Sequence, residues 1–225
     1  MVIKMRRIDL HMHSLLSDGQ LLPSEIFRRS EYLNYEAIAV TDHVDASVLE
    51  SFTIKLVKVS EELGRYKTKT IFLPGVELTH VTPASIPKLA RKAKKLGAKI
   101  ILVHGETLSE PVQEKTNSVA VQCNEIDILA HPGLVTEKDA KLARDHDVYL
   151  ELTSRNGHNI TNGHVAKMAF LVGAKLCVNT DLHTVSDFIS AEDAFQVALG
   201  AALNKQQAIL ASYKYPCQLL QKILA

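Results

Sequence analysis

Nine residues with metal-binding side chains, His11, His13, Asp18, His43, Glu77, His104, His131, Asp181 and His183, fall at the ends of short apolar runs. Imidazole and carboxylate without thiolate is the donor set of catalytic zinc, manganese or iron, not of a closed structural zinc site. A lone histidine at a strand end is ordinarily a hydrogen-bonded core residue. Six of the chain's ten histidines in such positions would require six independent coincidences. Nine donors also exceed what one ion can use, whereas two or three divalent ions sharing a bridging carboxylate would use them all. Glu77 is the candidate bridge. The chemistry expected of such a centre is hydrolysis by metal-activated water.

Residues so far apart meet only if a repeated fold brings strand ends together. β-rich runs at 7–11, 36–41, 70–77, 99–104, 126–131, 148–152 and 175–179 alternate with helical patterns at 23–33, 47–66, 86–96, 117–124, 137–146 and 162–172. Ile100-Ile101-Leu102-Val103 is apolar on both faces, as in a parallel sheet covered by helices. The pattern predicts an α/β barrel or doubly wound sheet, whose strand C-termini converge on one face. His11 and His13, two apart on an extended chain, would enter one pocket while Leu10 and Met12 face away. Gly97 and Gly173 stand where helices end, Pro87 near a helix start, and Ser190 with Asp193 where a helix is capped. Helical stretches at 205–211 and 216–224 would close the base or flank of the sheet.

No linker, repeat or low-complexity tract interrupts the chain, so a single domain spanning 1–225 is expected. Hydrophobic residues at 46% and charged residues at 23% fit a globular domain and exclude a dominant disordered tail. A net charge of +1 excludes an overall attraction to nucleic acid or anionic membrane. The cluster Lys88, Arg91, Lys92, Lys94, Lys95 and Lys99 reads as a solvated helix face. Cys123, Cys177 and Cys217 form no CxxC pair and read as small buried apolar residues. The opening MVIKMRRIDL lacks the apolar stretch of a leader, and no apolar run has membrane-spanning length, so a soluble cytoplasmic protein is expected.

The strings DLHMHSLLSDG at 9–19, VTDH at 40–43, PGVE at 74–77, VHGE at 103–106, AHPG at 130–133 and NTDLH at 179–183 resemble the polymerase and histidinol phosphatase (PHP) family. The resemblance covers nearly the whole chain in family order, and is greatest to the short histidinol-phosphatase-like proteins. It implies a distorted seven-stranded (β/α)7, TIM-like barrel with a trinuclear metal centre. Carried over by residue, one ion takes His11, His13, Glu77 and Asp181, a second Glu77, His104 and His131, and a third Asp18, His43 and His183. Some relatives carry a histidine near the position of Asp18. Catalysis is expected to rest on Glu77, Asp181 and Arg155.

Asp9 and Asp42 adjoin ligand histidines and are candidates to accept a ring N–H, a capping or turn role being the alternative for Asp42. Arg155 follows the run ending Glu151-Leu152-Thr153, and its guanidinium fork matches phosphate oxygens. The resemblance implies that arginine here binds substrate phosphate, a surface salt bridge being the alternative. His158, Glu106 and His80 are further candidate substrate contacts, although Glu106 could instead balance charge; His164 reads as a helix-start residue and His146 as a surface residue. The expected reaction is release of phosphate from a small phosphomonoester, histidinol-phosphate-like or another phosphorylated metabolite. A phosphodiesterase or nuclease acting on nucleotides is the first alternative, disfavoured for long polynucleotides by the absence of a basic aromatic track. A second is a noncatalytic ribonuclease P-like subunit, since an archaeal ribonuclease P protein is built on a related barrel; such a subunit needs no nine ligands. A third is a C–N hydrolase, in which Glu77 would replace the usual carboxylated-lysine bridge.

Overall fold

The computed structural model describes residues 5–225; positions 1–4, part of the opening segment read for a leader, lie outside the described residues. The strands are β1 (Ile8–Met12), β2 (Ala37–Val40), β3 (His43–Val44), β4 (Ile71–Leu78), β5 (Ile100–His104), β6 (Ile128–Ala130), β7 (Tyr149–Thr153) and β8 (Leu176–Asn179). Seven of them line up as β1-β2-β4-β5-β6-β7-β8 with every neighbour parallel. A parallel bridge between Met12 and Leu182 brings the exit of β8 back to β1, so the seven strands make a nearly closed TIM-like (β/α)7 barrel. Each expected strand is present with ends moved by no more than two residues. The two-residue β3, not anticipated, pairs with β4 and sets His43 opposite Glu77.

Helices α1 (Pro23–Tyr32), α2 (Leu49–Leu63), α3 (Ile86–Lys95), α4 (Thr116–Ala120), α5 (Glu137–Asp145) and α6 (Asn162–Val172) occupy the crossovers. They are followed by α7 (Ala191–Gly200), α8 (Lys205–Ile209) and α9 (Tyr215–Leu224). Strand residues are buried on both faces because alternation sends one set to the helices and the other into the barrel. Val76, Ile101, Val103, Leu150 and Val178 pack outward in one cluster with residues of α3, α5 and α6. Leu73, Ile100, Leu102, Ile128 and Tyr149 share a second cluster with Leu219 and Leu220 of α9. The second set has the same parity as Glu77, His104 and Glu151, so the apolar floor of the barrel and its polar mouth are made by the same faces of the same strands.

The capping box of Ser190 and Asp193 opens α7 as its sequence predicts. The fourth helix is shorter than the 117–124 pattern, ending at Ala120 in turns that carry the chain to β6. Between α8 and α9 the helix widens to a π turn over Leu210–Lys214, just before Pro216. Proline lacks the N–H that an α-helix needs there and its ring crowds the preceding turn. Cys123 and Cys177 are buried as expected, whereas Cys217 is only partly so. On α3, Lys92 and Lys94 pair with Glu50 and Asp127, in keeping with a solvated face. No helix among the described residues is long and apolar enough to cross a membrane.

The loop after β5 runs against the loop after β6 at Gly105, where a Cβ would lie 2.3 Å from the Ala130 carbonyl oxygen and 2.7 Å from Pro132 Cα. Both neighbours are backbone and cannot swing aside. Gly105→Ala is expected to destabilise the fold by about 1–3 kcal/mol; an unchanged urea midpoint would contradict this packing.

Candidate metal centre

The strand ends and the loops after them deliver six histidines and three carboxylates to one mouth. Parallel register fixes their depth: Glu77 lies level with Leu102, placing His104 two residues farther out, and His104 lies level with Ala130, one residue before His131. His11 Nε2 and His13 Nε2 are 3.0 Å apart, as two ligands of a common ion would be. Glu77 Oε2 lies 3.4 Å from His11 Nε2, 3.5 Å from His13 Nε2 and 2.8 Å from His43 Nδ1. Its other oxygen is 3.5 Å from His131 Nε2. Asp181 approaches His13 at 3.1 Å and His131 at 3.7 Å through its two oxygens. Asp18, half exposed, lies 3.1 Å from His183 and 3.5 Å from His43.

Four imidazoles share one orientation. Nδ1 of His11 meets Glu151 Oε1 at 2.8 Å, that of His43 meets the Thr79 hydroxyl at 2.7 Å, that of His104 the Gly105 carbonyl at 3.2 Å and that of His183 the Asp181 carbonyl at 2.8 Å. In each case Nδ1–H is the donor and Nε2 keeps its lone pair for the mouth, the arrangement that orients histidine toward a metal. Backbone conformation adds to this. His80, His131 and Asp181 have φ of 50°, 25° and 53°, in the left-handed region that costs a non-glycine residue about 1–3 kcal/mol.

Burial and charge oppose each other throughout. Burial alone would lower His11, but Glu151, Glu77 and Asp181 hold it well above the ordinary imidazole value. The same contest raises His43 to about 10 through Glu77 and Asp18. His13, desolvated and beside His43, is pushed down to about 3, and His131 is lowered by burial and His104. Glu77 and Asp181 are held well below the carboxylate range by neighbouring imidazoles despite burial. Protons and cations thus compete for the same nitrogens.

The fit to cations shows in the polar atoms that no protein group satisfies. Both carboxylate oxygens of Glu77, Oδ1 of Asp181, both ring nitrogens of His131 and Nδ1 of His13 are buried without a hydrogen-bond partner. Orphaned donors and acceptors of this kind are rare away from ion sites. The ligand atoms gather as His11, His13 and Glu77; His11, His131 and Asp181; and His13, Asp18, His43 and His183. All nine residues read from the sequence therefore surround the mouth, but the grouping differs from the one implied by resemblance: His104 stands apart, with His80 and Glu110.

Arg155 lies over the mouth, Nε 3.6 Å from Asp181 Oδ2, and His158 is buried with Nδ1 3.3 Å from the same oxygen. His80 is half exposed at the rim. Glu106 does not point inward: its Oε1 accepts from the Asn117 N–H at 2.8 Å, beside the start of α4. Asp9 and Asp42 hold no imidazole either. Asp9 pairs with Arg7 at 2.9 Å deeper in the barrel, and Asp42 accepts from the backbone and hydroxyls of Ser14 and Ser17, fixing the loop that carries Asp18. His164 Nε2 donates to the Val135 carbonyl at 2.8 Å from the first turn of α6, and His146 sits exposed at the end of α5. The carboxylate that orients the His11 ring is Glu151, to which the sequence alone assigned no role. Its Oε2 accepts from the His131 N–H at 3.0 Å while Oε1 receives Asn179 Nδ2 at 2.8 Å. Glu151→Gln is expected to weaken cation affinity about 10–100-fold with the fold retained; wild-type affinity in a chelator competition would contradict that role.

Comparison with known proteins places this geometry. Residues 9–158 match the PHP domain family. An uncharacterized protein of Methanocaldococcus jannaschii is 47% identical over 217 residues, covering 96% of this chain and 100% of that protein. A protein chain in the cryo-EM structure of archaeal ribonuclease P with mature tRNA superposes with a TM-score of 0.67 at 20% identity, over 96% of this chain and 89% of that one. Helicobacter pylori aminofutalosine deaminase superposes with a TM-score of 0.60 at 12% identity, over 96% of this chain and 73% of that one. At such identities the structural likeness shows the barrel alone. The family match spans more than half of the chain and includes seven of the nine ligand residues; the chain belongs to the PHP domain family of metal-dependent hydrolases.

Proposed function

We propose that this chain is a phosphatase that releases phosphate from a small phosphomonoester, using two or three divalent ions held by the nine ligand residues. The observation that carries the reading is the guanidinium of Arg155, one-third exposed, beside the buried Asp181 carboxylate. A fixed fork of donors at the edge of a cation-binding mouth suits an anion that arrives from solvent and must be oriented there. Bound divalent ions would supply a hydroxide-like nucleophile at neutral pH and neutralise charge on the phosphoryl oxygens.

The chain's own groups do the rest. Glu77 and Asp181, each within 4 Å of His11, His13 and His131, would hold the cations together with these imidazoles, and Arg155 would donate to phosphoryl oxygens as charge builds on them. His158 offers Nε2 beside the same pocket, 3.2 Å from Glu110. Arg155 also lines a cavity of about 440 Å³ with Ser154, Asn156, Thr180, Ser186, Asp187 and Ile189. Its size suits a metabolite, and its hydroxyl, amide and carboxylate groups suit a polar leaving group.

The test is hydrolysis of p-nitrophenyl phosphate and its bis-ester by metal-replete protein. The monoester is expected to be the better substrate, Glu77→Ala to abolish turnover, and Arg155→Ala to lower kcat/KM for the monoester about 10–100-fold. Preference for the bis-ester would move the reading to a phosphodiesterase. Inertness toward both by protein that binds its ions would overturn it, leaving the C–N hydrolase or noncatalytic alternatives.

A further inference from the structure

We propose that the cavity between the loops leaving β7 and β8 is a subsite for a neutral, polyhydroxylated leaving group, so that the phosphomonoester is a polyol or sugar phosphate. The phosphoryl end of that substrate rests on the phosphatase reading; the cavity speaks to the rest of it. Its volume is about 440 Å³, and it is walled by residues 154–156 after β7 and by Thr180, Ser186, Asp187 and Ile189 after β8. Both loops also serve the mouth. Thr180 directly precedes the ligand Asp181, and Ser186 and Asp187 follow His183 by three and four residues. Arg155 reaches the Asp181 carboxylate with Nε at 3.6 Å and the Asp181 carbonyl with Nη1 at 3.4 Å. A phosphoryl group seated on Arg155 therefore has its ester substituent beside this cavity.

The walls discriminate among leaving groups by what they offer and what they lack. Ser154, Asn156, Thr180 and Ser186 supply hydroxyls and an amide, groups that both donate and accept, as the hydroxyls of a polyol do. Asp187 takes the backbone N–H groups of His183 and Thr184 on Oδ2, at 2.9 and 2.7 Å, which leaves Oδ1 to accept from a ligand. Ile189 adds an apolar patch suited to the C–H bonds of a carbon chain or sugar ring. Among the described residues the walls carry no aromatic ring, so a nucleobase or aryl group finds no stacking partner. Arg155 is the sole basic side chain in them, and with its guanidinium given to Asp181 and the phosphoryl group, a second anionic group on the substrate has no counter-charge. An ammonium group would share the cavity with that guanidinium, and the carboxylate it would seek is already engaged by two backbone donors. Hydroxyls meet neither obstacle.

Titration calorimetry of the full, metal-loaded chain with uncleavable phosphonates of matched chain length tests the subsite apart from turnover. 3,4-Dihydroxybutylphosphonate is expected to bind about 10-fold tighter than butylphosphonate, as two added hydrogen bonds would give, and the S154A/N156A double variant to bring that ratio to about one. A ratio of two affinities cancels any general effect of the substitutions on the phosphonate end. Equal binding of the two ligands by the wild type, or an unchanged ratio in the double variant, would overturn the subsite. Tightest binding of 4-aminobutylphosphonate or of benzylphosphonate would overturn it as well, assigning the cavity to an amino alcohol or an aryl group instead. Because phosphonates are not cleaved, the two readings fail separately. Hydroxyl preference in protein inert toward p-nitrophenyl phosphate would remove the phosphatase reaction and keep the hydroxyl subsite, whereas turnover of p-nitrophenyl phosphate without hydroxyl preference would do the reverse. Failure of every phosphonate to bind ion-loaded protein would overturn both.

Discussion

Two carboxylates, Glu77 and Asp181, buried at the mouth of an apolar barrel with three of their four oxygens lacking a hydrogen-bond partner, are the constraint around which the chain is arranged. Burying an ion without full compensation costs several kcal/mol, so the surrounding imidazoles are an energetic requirement as much as a chemical one. The pull in opposite directions on His11 and His43 against His13 and His131 shows how incompletely imidazoles alone settle that account. Divalent cations would resolve it, since they could be held by the orphaned carboxylate oxygens and by one nitrogen of each imidazole without a proton between them.

The barrel's closure and the ligand geometry are one structure. Asn179 accepts from the Leu10 N–H at 3.0 Å across the seam between β8 and β1, and its amide donates to Glu151. Glu151 in turn fixes the His11 ring and the His131 backbone. Asn117 plays the corresponding part between the loops after β5 and β6, accepting from the Glu106 N–H at 2.9 Å and donating to the Pro132 carbonyl at 2.8 Å. A loosened seam would therefore displace ligands before it exposed much apolar surface, which links the stability of the fold to the affinity of the site.

The seven strands, and the gathering of nine candidate ligand residues at one mouth, were legible in the sequence because both rest on short-range regularities: apolar runs of strand length, six of them ending in, or followed within two residues by, an imidazole or carboxylate. His43 illustrates the limit. Its type and position marked it as a candidate ligand, but the two-residue strand that seats it opposite Glu77 is too short to leave a pattern. Glu151 was hidden for another reason, lying inside a run that otherwise reads as buried strand; an acidic residue between Leu150 and Leu152 carries a burial cost that could have singled it out. Glu106 looked functional because it follows His104 by two residues, yet the turn after β5 sends its carboxylate to Asn117. Glu110, in a polar loop without periodicity, reaches the mouth only through tertiary folding, and nothing local announces it.

The central claim is that Glu77 is shared between cations at the floor of the mouth. Anomalous diffraction from crystals of metal-replete protein, recorded on both sides of the metal's absorption edge, tests it most directly. The account predicts a peak within coordination distance of each Glu77 oxygen, one toward His11 and His13 and the other toward His131. An ordered Glu77 with no anomalous peak beside it, or with a single peak contacting one oxygen only, would contradict it.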